Sequence, residues 1–389
     1  MANEKIKRKI VYLFLYITLA YWVSANTNIL TFRVLQFGII IGLICLYKVR
    51  FLKKNVVIVY MLLGMAQLLT IIMKSYHYSI DFAQISAVTI AFLFTQTVSE
   101  EQFKEQYKNF MVFVAGFSIC TFFLYKIMPT VFYMLPRVHA TALVANVGFS
   151  LVPIQMDDYF RNFGCFREPG MFQVHLNLAL IYELFSEKIS LKRVILLCGA
   201  VVTTFSSAGF ITTAIILLAF MWNKNDLNKS VKKKITFLSI ISIALIIYLY
   251  INGYFGHYGT VFQKFLEFSG NGSAFERMNA VNLALKTIGN NPLLGTGWGN
   301  WANTFLSSGI LTCTPLNWFA IYGVLYGCVC NAGIFLTGIH NATNRMAGIL
   351  IAISIFFAVV SQDVSGDALI LIIVFYAYSE AFRRKKVYG

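Results

Sequence analysis

Long apolar stretches recur along the whole chain and are separated by short polar segments. A helix needs about 20 apolar residues to cross the hydrocarbon of a bilayer, where its backbone polar groups must be satisfied internally. About twelve stretches have this character, although several are short: Ile10–Ser24, Ile29–Tyr47, Val56–Met73, Ile80–Val98, Phe110–Met128, Met171–Phe185, Val194–Phe205, Phe210–Trp222, Ile235–Ile251, Leu316–Leu336, Ala347–Val360 and Ala368–Tyr378. The pattern predicts an all-α polytopic membrane protein in which residues 1–389 form a single integral membrane domain.

Two segments between these stretches, residues 129–170 and 252–315, are long enough to contain structure of their own. Connections of that length without secondary structure are unusual, so we expect short helices in both. In the second segment Ser273 and Glu276 have capping-box spacing, and Gly289 with Pro292 supplies a stop signal. Apolar residues recur at helical spacing between them, which predicts an amphipathic helix lying at the membrane interface.

Composition and charge support this topology. Hydrophobic residues make up 58% of the chain and charged residues 12%, against about 25% charged in soluble domains, which excludes a soluble enzyme and a disordered chain. The net charge of +16 arises largely from clusters in short gaps, namely Lys5–Lys9, Lys48–Lys54, Lys188–Arg193, Lys224–Lys234 and Arg383–Lys386. Retained cytoplasmic loops collect such residues, so we expect cytoplasmic termini, two outer long loops and no nucleic-acid partner.

Charged residues concentrate just before the sixth apolar stretch. Arg161, Arg167 and Glu168 precede Pro169 there, and proline is favoured at the first helical position, with a carboxylate beside it suiting the free amides. Glu168 is therefore either a simple helix cap balanced by Arg167 or part of a site, since the charges exceed what capping needs. His175 lies two turns further along the same face, either as a functional group or as a hydrogen-bonded structural histidine.

Other candidates lie in the second long segment. Arg277 falls in the first turn of the predicted amphipathic helix, where free amides and a cation form an anion site; the alternative is an anchor for lipid phosphate. The glycines of Leu293–Trp301 permit a tight backbone but lack a nucleotide-binding signature. Several aromatic residues are candidates for stacking on sugar rings, against a core or interface role: Trp298, Trp301, Trp318, Tyr254 and Tyr258.

At four places the sequence resembles the O-antigen and capsular polysaccharide polymerases of the Wzy type, which are relatives of the O-antigen ligases. Residues 161–172 resemble that family's R-x-x-G-x-F-x-E-P-G-x-F element. The other similar segments are Thr204–Ile211, Arg277 with Asn291–Gly297, and Leu316–Trp318 with Tyr322–Gly327. One departure is Leu316, which replaces the histidine that precedes asparagine in the ligases and so argues against ligase chemistry carried by that residue.

The resemblance implies a metal-independent glycosyltransferase without a cofactor at the outer face of a bacterial inner membrane. Its activity would be transfer of a growing glycan from undecaprenyl pyrophosphate onto a lipid-linked repeat unit, in capsule or lipopolysaccharide biosynthesis. Its partners would be these lipid-linked glycans, membrane lipid and a regulator of chain length. By their similarity to the family's H-N segment, residues around Asn317 belong to the substrate-binding region.

Such a reaction needs cations that neutralise the leaving pyrophosphate and a base for the acceptor hydroxyl. We assign the first task to Arg161, Arg167 and Arg277, and the second to Glu168. Weaker candidates for the base are His175, His139 and His257, and two further acids of the last outer loop are Asp363 and Asp367.

Two alternatives remain open. A transporter or lipid-glycan flippase would place charged residues within its spans, for which the candidates are Arg33, Asp81, His175 and Glu183. An O-antigen ligase acting on a lipid A core is the other, and it is disfavoured by Leu316.

Overall fold

The computed structural model describes residues 2–47, 54–74, 78–140, 143–154, 160–223, 273–306 and 312–380, together with 233–234 and 236–237. Helices account for most of this part of the chain. Their bounds are α1 Ala2–Leu19, α2 Tyr21–Ala25, α3 Ile29–Tyr47, α4 Lys54–Lys74, α5 Tyr78–Thr97, α6 Glu100–Ile127, α7 Pro129–Tyr133, α8 Pro169–Leu184, α9 Leu191–Thr203, α10 Ser207–Trp222, α11 Ser273–Asn290, α12 Trp298–Leu306, α13 Thr314–His340, α14 Arg345–Val360 and α15 Ala368–Glu380.

The helices are those of a membrane protein. Among the described residues, α3, α4, α6 and α13 are long and apolar enough to cross a bilayer, and α10, α14 and α15 are apolar but shorter. Large apolar side chains stay exposed on them, such as Val34 and Ile72, as expected for surfaces that face lipid. Twelve crossings stay a prediction, and most of the predicted span Ile235–Ile251 lies outside the described residues.

The first predicted span is not one continuous helix. The sequence predicts a helix over Ile10–Ser24, whereas α1 ends at Leu19 and the short α2 begins at Tyr21. Ala20 between them has an extended backbone, with φ −74° and ψ 100°. The amide of Tyr21 donates to the carbonyl oxygen of Cys165 at 2.8 Å, so the segment that precedes α8 supplies the partner that the broken helix lacks.

The first long loop contains a small antiparallel sheet, in the order β1 (Arg137–His139), β2 (Leu143–Asn146) and β3 (Leu151–Pro153). Val138 pairs with Val144, and Ala145 pairs with Val152. The all-α prediction is therefore wrong for this loop, where α7 is the one short helix among the described residues. Strands of three or four residues are too short for alternation to reveal, and β-branched residues at paired positions stabilise them.

Two helices, α8 and α15, form the centre of the helical bundle. Nearly every residue of α8 is buried, and it packs against α6, α9, α10 and α14. Residues Ala368–Ala377 of α15 are likewise buried, and this helix packs against α4, α5 and α13. Helices that are apolar on all sides belong in the interior of a bundle. Their N-terminal ends meet, because His175 of α8 lies beside Asp367, the residue before α15.

Helix α13 is interrupted at Gly323, whose φ of 78° and ψ of −174° are not helical. The backbone groups freed there bond to the segment before α12. The amides of Thr296 and Gly297 donate to the carbonyls of Ala320 and Ile321 at 3.0 and 2.9 Å. An irregular backbone is tolerated at membrane depth where other protein segments satisfy its polar groups, as they do here.

Candidate functional site

The start of α8 follows the sequence prediction closely. Pro169 occupies the first turn and Glu168 is the N-cap residue, with an extended backbone at φ −156° and ψ 155°. The carbonyl of Glu168 accepts the amides of Met171 and Phe172, both at 3.2 Å, but its carboxylate makes no capping hydrogen bond. The carboxylate is instead directed to Arg167, whose guanidinium lies 3.5 Å away. The capping contacts of Glu168 therefore come from its backbone, and a role of its carboxylate in a site stays a prediction.

Arg161 is fixed against the polar hinge between α9 and α10. Its Nε donates to the carbonyl oxygen of Thr204 at 2.8 Å, and the neighbouring Asn162 donates to Thr203 Oγ1 at 2.9 Å. This hinge is short, because α9 ends at Thr203 and Ser206 caps α10 by accepting the amide of Gly209 at 3.3 Å. Two motifs that lie far apart in the sequence therefore meet at Arg161.

Charged groups of the loop before α8 and of α11 act on one another at this point. Burial lowers the pKa of Arg161 to about 10, Glu168 opposes that shift, and the like charge of Arg277 adds to it. Glu168 also pairs with Arg167. We call Arg161, Arg167, Glu168 and Arg277 the arginine cluster, because each interacts electrostatically with at least one of the others.

The helix that carries Arg277 has the bounds that its capping signals predict, since α11 runs from Ser273 to Asn290. Its small residues Ala280 and Ala284 are buried, and the helix packs against α13. Met278 and Leu285 of the predicted apolar face are exposed by 52% and 51%. This arrangement suits a helix that packs on the bundle by one face and meets the membrane interface by another.

His175 is fully buried one layer below the arginine cluster. Its Nδ1 lies 2.9 Å from Tyr107 Oη, and its Nε2 lies 3.3 Å from Asp367 Oδ2. The imidazole also stacks on Phe166, with ring centroids 4.8 Å apart. Nδ1 is therefore hydrogen-bonded, whereas Nε2 approaches the carboxylate without forming a hydrogen bond.

A cavity of about 340 Å³ opens beside the arginine cluster, and we call it the polar cavity. Its volume falls within the range of about 300–1,000 Å³ that is typical of small-molecule pockets. Polar and aromatic residues of its wall are Thr18, Tyr21, Ser24, Phe32, Arg33, Gln36, Gln84, Arg167, Trp298, Asp363 and Asp367. Arg167 belongs to both the cavity wall and the arginine cluster, so the two features adjoin.

Among the described aromatic candidates, one lines the polar cavity and two are buried in the core. Trp298 is partly exposed in the polar cavity, whereas Trp301 and Trp318 are 2% and 1% exposed. Stacking on sugars is therefore wrong for those two residues. The indole of Trp318 donates to the carbonyl of Ser365 at 3.0 Å. Tyr254, Tyr258 and His257 lie outside the described residues, and His139 is exposed on β1.

Asn317 reaches the wall of the cavity indirectly. It is fully buried, and its Nδ2 donates to Asp363 Oδ1 at 3.2 Å. The same carboxylate oxygen accepts the hydroxyl of Ser365 at 2.6 Å. A substrate-binding role for Asn317 stays a prediction, and its contact in the structure is with an acid that lines the cavity.

The glycine-rich segment positions Trp298. Gly295 and Gly297 have φ of 68° and 79°, which confirms the tight backbone that the glycines predict. Asp81 on α5, buried within the bundle, accepts the amide of Trp298 at 2.8 Å and so caps α12. Asp81 is thereby a structural anchor of the cavity wall, a role that sequence spacing does not reveal because the two residues are distant in the chain.

Arg33, which the sequence suggested as a candidate for a transporter, lines the polar cavity. It is 7% exposed, and its guanidinium donates to Gln36 Oε1 at 2.9 Å and to the carbonyl of Gly366 at 3.3 Å. A lone arginine in an apolar helix signalled a functional position, but not the loop that it would contact. In the part of the chain that the structure describes, no group of three histidine, cysteine, aspartate or glutamate residues is arranged to hold a metal ion.

Comparison with known proteins agrees with two of the four motifs. No curated protein matches the chain. Residues 194–312, which include the α9–α10 hinge, Arg277 and the glycine-rich segment, match the Wzy_C family model, described as O-antigen ligase. The resemblance of this chain to the Wzy-type and O-antigen ligase family is thereby confirmed.

Proposed function

We propose that the protein is a membrane glycosyltransferase that polymerises a glycan. In this proposal it transfers the growing chain from undecaprenyl pyrophosphate onto a lipid-linked oligosaccharide repeat unit at the outer face of the cytoplasmic membrane. The family match supports a role in O-antigen processing, and the preference for polymerase over ligase rests on Leu316, which stands in the place of the ligases' histidine.

The observation that carries the proposal is the arginine cluster. Arg161 and Arg167 of the loop before α8 interact with the Glu168 carboxylate, and Arg277 near the start of α11 interacts electrostatically with Arg161. Glu168 neutralises one of the three positive charges, so the cluster keeps a net positive charge that suits a diphosphate. Arginine binds phosphate oxygens with paired hydrogen bonds, and fixed donors aimed at developing charge are a main source of catalysis.

The chemistry follows from this charge distribution. The acceptor hydroxyl attacks the anomeric carbon of the donor glycan, and the bond from that carbon to the diphosphate oxygen breaks. Arg161, Arg167 and Arg277 stabilise the negative charge that develops on the leaving diphosphate. We assign the acceptor's proton to Glu168, whose carboxylate lies among the arginines and is partly exposed.

The proposal predicts that Arg277→Ala and Glu168→Gln each abolish polymer in cells. Loss of an electrostatic donor or of a general base typically lowers a rate by about 100-fold or more. The measurement is glycan length on a silver-stained gel, with the level of each variant in the membrane determined in parallel. Lys286→Ala is the matched control, because Lys286 is an exposed cation on the same helix as Arg277.

The control variant should give wild-type polymer lengths. Normal polymer in both Arg277→Ala and Glu168→Gln cells would refute the proposal. If the Arg277→Ala variant instead accumulates full-length polymer that is not joined to lipid A core, the protein is a ligase of the same family.

A further inference from the structure

The polar cavity has a different electrostatic character from the arginine cluster beside it. Its wall contains two guanidinium groups, Arg33 and Arg167, and two carboxylates, Asp363 and Asp367. These charges balance, so the cavity has no net attraction for a diphosphate. Amide and hydroxyl groups complete the wall, which favours a neutral ligand that presents many hydroxyl groups.

Trp298 gives this cavity an apolar wall next to its polar groups. The indole is partly exposed there, and its backbone is fixed by Asp81 at the start of α12. A rigid aromatic face beside hydrogen-bonding side chains offers an apolar surface together with groups that fix orientation. A pyranose ring has both an apolar face of C–H groups and a rim of hydroxyl groups.

Asp367 is the cavity-facing acid whose orientation is most completely fixed. Its side chain is 12% exposed, and Oδ2 lies 3.3 Å from His175 Nε2. Its other oxygen, Oδ1, accepts the amide of Leu369 at 2.8 Å, which caps α15. Arg33, which lies in the same wall, interacts electrostatically with this carboxylate. Asp367 is therefore held in place from two helices.

His175 lies between the Tyr107 hydroxyl and the Asp367 carboxylate. Tyr107 Oη lies 2.9 Å from Nδ1 and 3.2 Å from the carbonyl oxygen of His175. On the other side of the ring, Nε2 lies 3.3 Å from Asp367 Oδ2, a close polar contact without hydrogen-bond geometry. The imidazole, which is fixed by Tyr107, therefore limits the positions that the Asp367 carboxylate can take.

We propose that the polar cavity is the subsite for a sugar ring of the acceptor glycan. This inference rests on the proposed function. Trp298 stacks on the ring, Asp367 and Asp363 accept its hydroxyl groups, and His175 is a positioning residue that orients Asp367. Because Arg167 is shared with the arginine cluster, a sugar bound here lies next to the donor diphosphate, as transfer requires.

The test is binding of a soluble sugar probe that lacks the diphosphate. The probe is the tritium-labelled repeat-unit oligosaccharide, released by mild acid from the lipid that accumulates in cells without this protein. Equilibrium binding is measured with the purified full-length protein in detergent. We expect Asp367→Asn and Trp298→Ala to weaken binding at least fivefold, and Trp298→Phe, which keeps an aromatic face, to retain it.

Arg277→Ala separates this inference from the proposed function. That variant should bind the oligosaccharide as the wild type does, because Arg277 is not part of the cavity wall, and yet fail to form polymer. Absence of binding by the wild-type protein, or equal binding by the Asp367→Asn and Trp298→Ala variants, would overturn the subsite. Normal polymer in both Arg277→Ala and Glu168→Gln cells would overturn the proposed function instead.

The role of His175 has its own comparison. His175→Ala should weaken oligosaccharide binding as Asp367→Asn does, whereas His175→Gln should restore part of it, because a glutamine amide presents an N–H at a similar reach. A structural role alone would lower the thermal stability of both variants without this rescue of binding. Unchanged binding in His175→Ala would show that Asp367 does not depend on the histidine.

Discussion

Gly323 shows how one residue shapes the wall of the site. Its φ of 78° lies in the region that glycine adopts without a steric penalty. A Cβ at this position would lie 2.0 Å from the carbonyl oxygen of Leu293. The break in α13 therefore requires glycine for two reasons. Only glycine adopts this backbone conformation without strain, and only glycine leaves room for the segment that leads to Trp298.

We predict that Gly323→Ala destabilises the protein strongly. A φ of 78° with a ψ of −174° is essentially restricted to glycine and costs about 1–3 kcal/mol for a residue with a Cβ, and the clash with Leu293 adds to that cost. The measurement is the midpoint of thermal unfolding of the purified protein in detergent.

Gly64→Ala is the control for this prediction. Gly64 lies within α4, and nothing lies within 4 Å of a Cβ built there. Alanine should be neutral or stabilise the helix by up to about 1 kcal/mol. Equal thermal midpoints for the two variants would show that the break at Gly323 is not needed.

Residues whose signals are local were predictable from the sequence. Glu168 with Pro169 marked the start of α8, and Ser206 lay at the hinge before α10, because capping depends on neighbours along the chain. The contact of His175 with Asp367 was not predictable, since it joins two helices whose packing no local pattern specifies. The sequence suggested both residues separately, and the fold brings them together.

At the scale of elements, a charged network ties α8 to its neighbours at the end opposite the arginine cluster. Glu183 is fully buried, and its Oε2 lies 3.4 Å from Lys108 of α6 and 3.6 Å from Arg193 of α9. Its other oxygen accepts the amide of Ser190 at 2.6 Å. These partners account for Glu183 as a structural residue, so this acid gives no support to a transport pathway.

We predict that Glu183→Ala lowers the thermal unfolding midpoint markedly. Removing one partner of a buried ion pair typically costs about 3–5 kcal/mol. Glu105, which lies 2.7 Å from Lys108 and 3.8 Å from Arg193, offsets part of that loss.

Glu4→Ala is the control, because its ion pair with Lys7 at 3.3 Å is exposed on the acid's side and such pairs contribute about 0–1 kcal/mol. A Glu183→Ala protein as stable as the control would contradict this account of the network.

Helices and strands were likewise predictable where their signals are local in the sequence, and not where they depend on tertiary contacts. Long apolar helices and the capped helix α11 were predicted nearly as observed, because periodicity and capping signals extend over many residues. The break at Ala20 and the three short strands were missed. Both depend on tertiary partners, namely the carbonyl of Cys165 and the pairing of β2 with two neighbours.

At the scale of the whole molecule, two buried helices bring the site together. The N-terminal ends of α8 and α15 meet through His175 and Asp367, and the loop before α8 joins the α9–α10 hinge through Arg161. α11 adds Arg277 to the same place. The sequence predicted a membrane protein with a cationic site formed by separate segments, but not the polar cavity, which exists only in the folded arrangement.

The most direct test of this account is reconstitution of the purified protein in proteoliposomes, with lipid-linked repeat units supplied on the outside. The account predicts a ladder of lipid-linked glycans of increasing length for the wild-type protein, and the unextended repeat unit alone for Arg277→Ala. A wild-type protein that moves the repeat unit across the bilayer without extending it would contradict the account and identify a transporter.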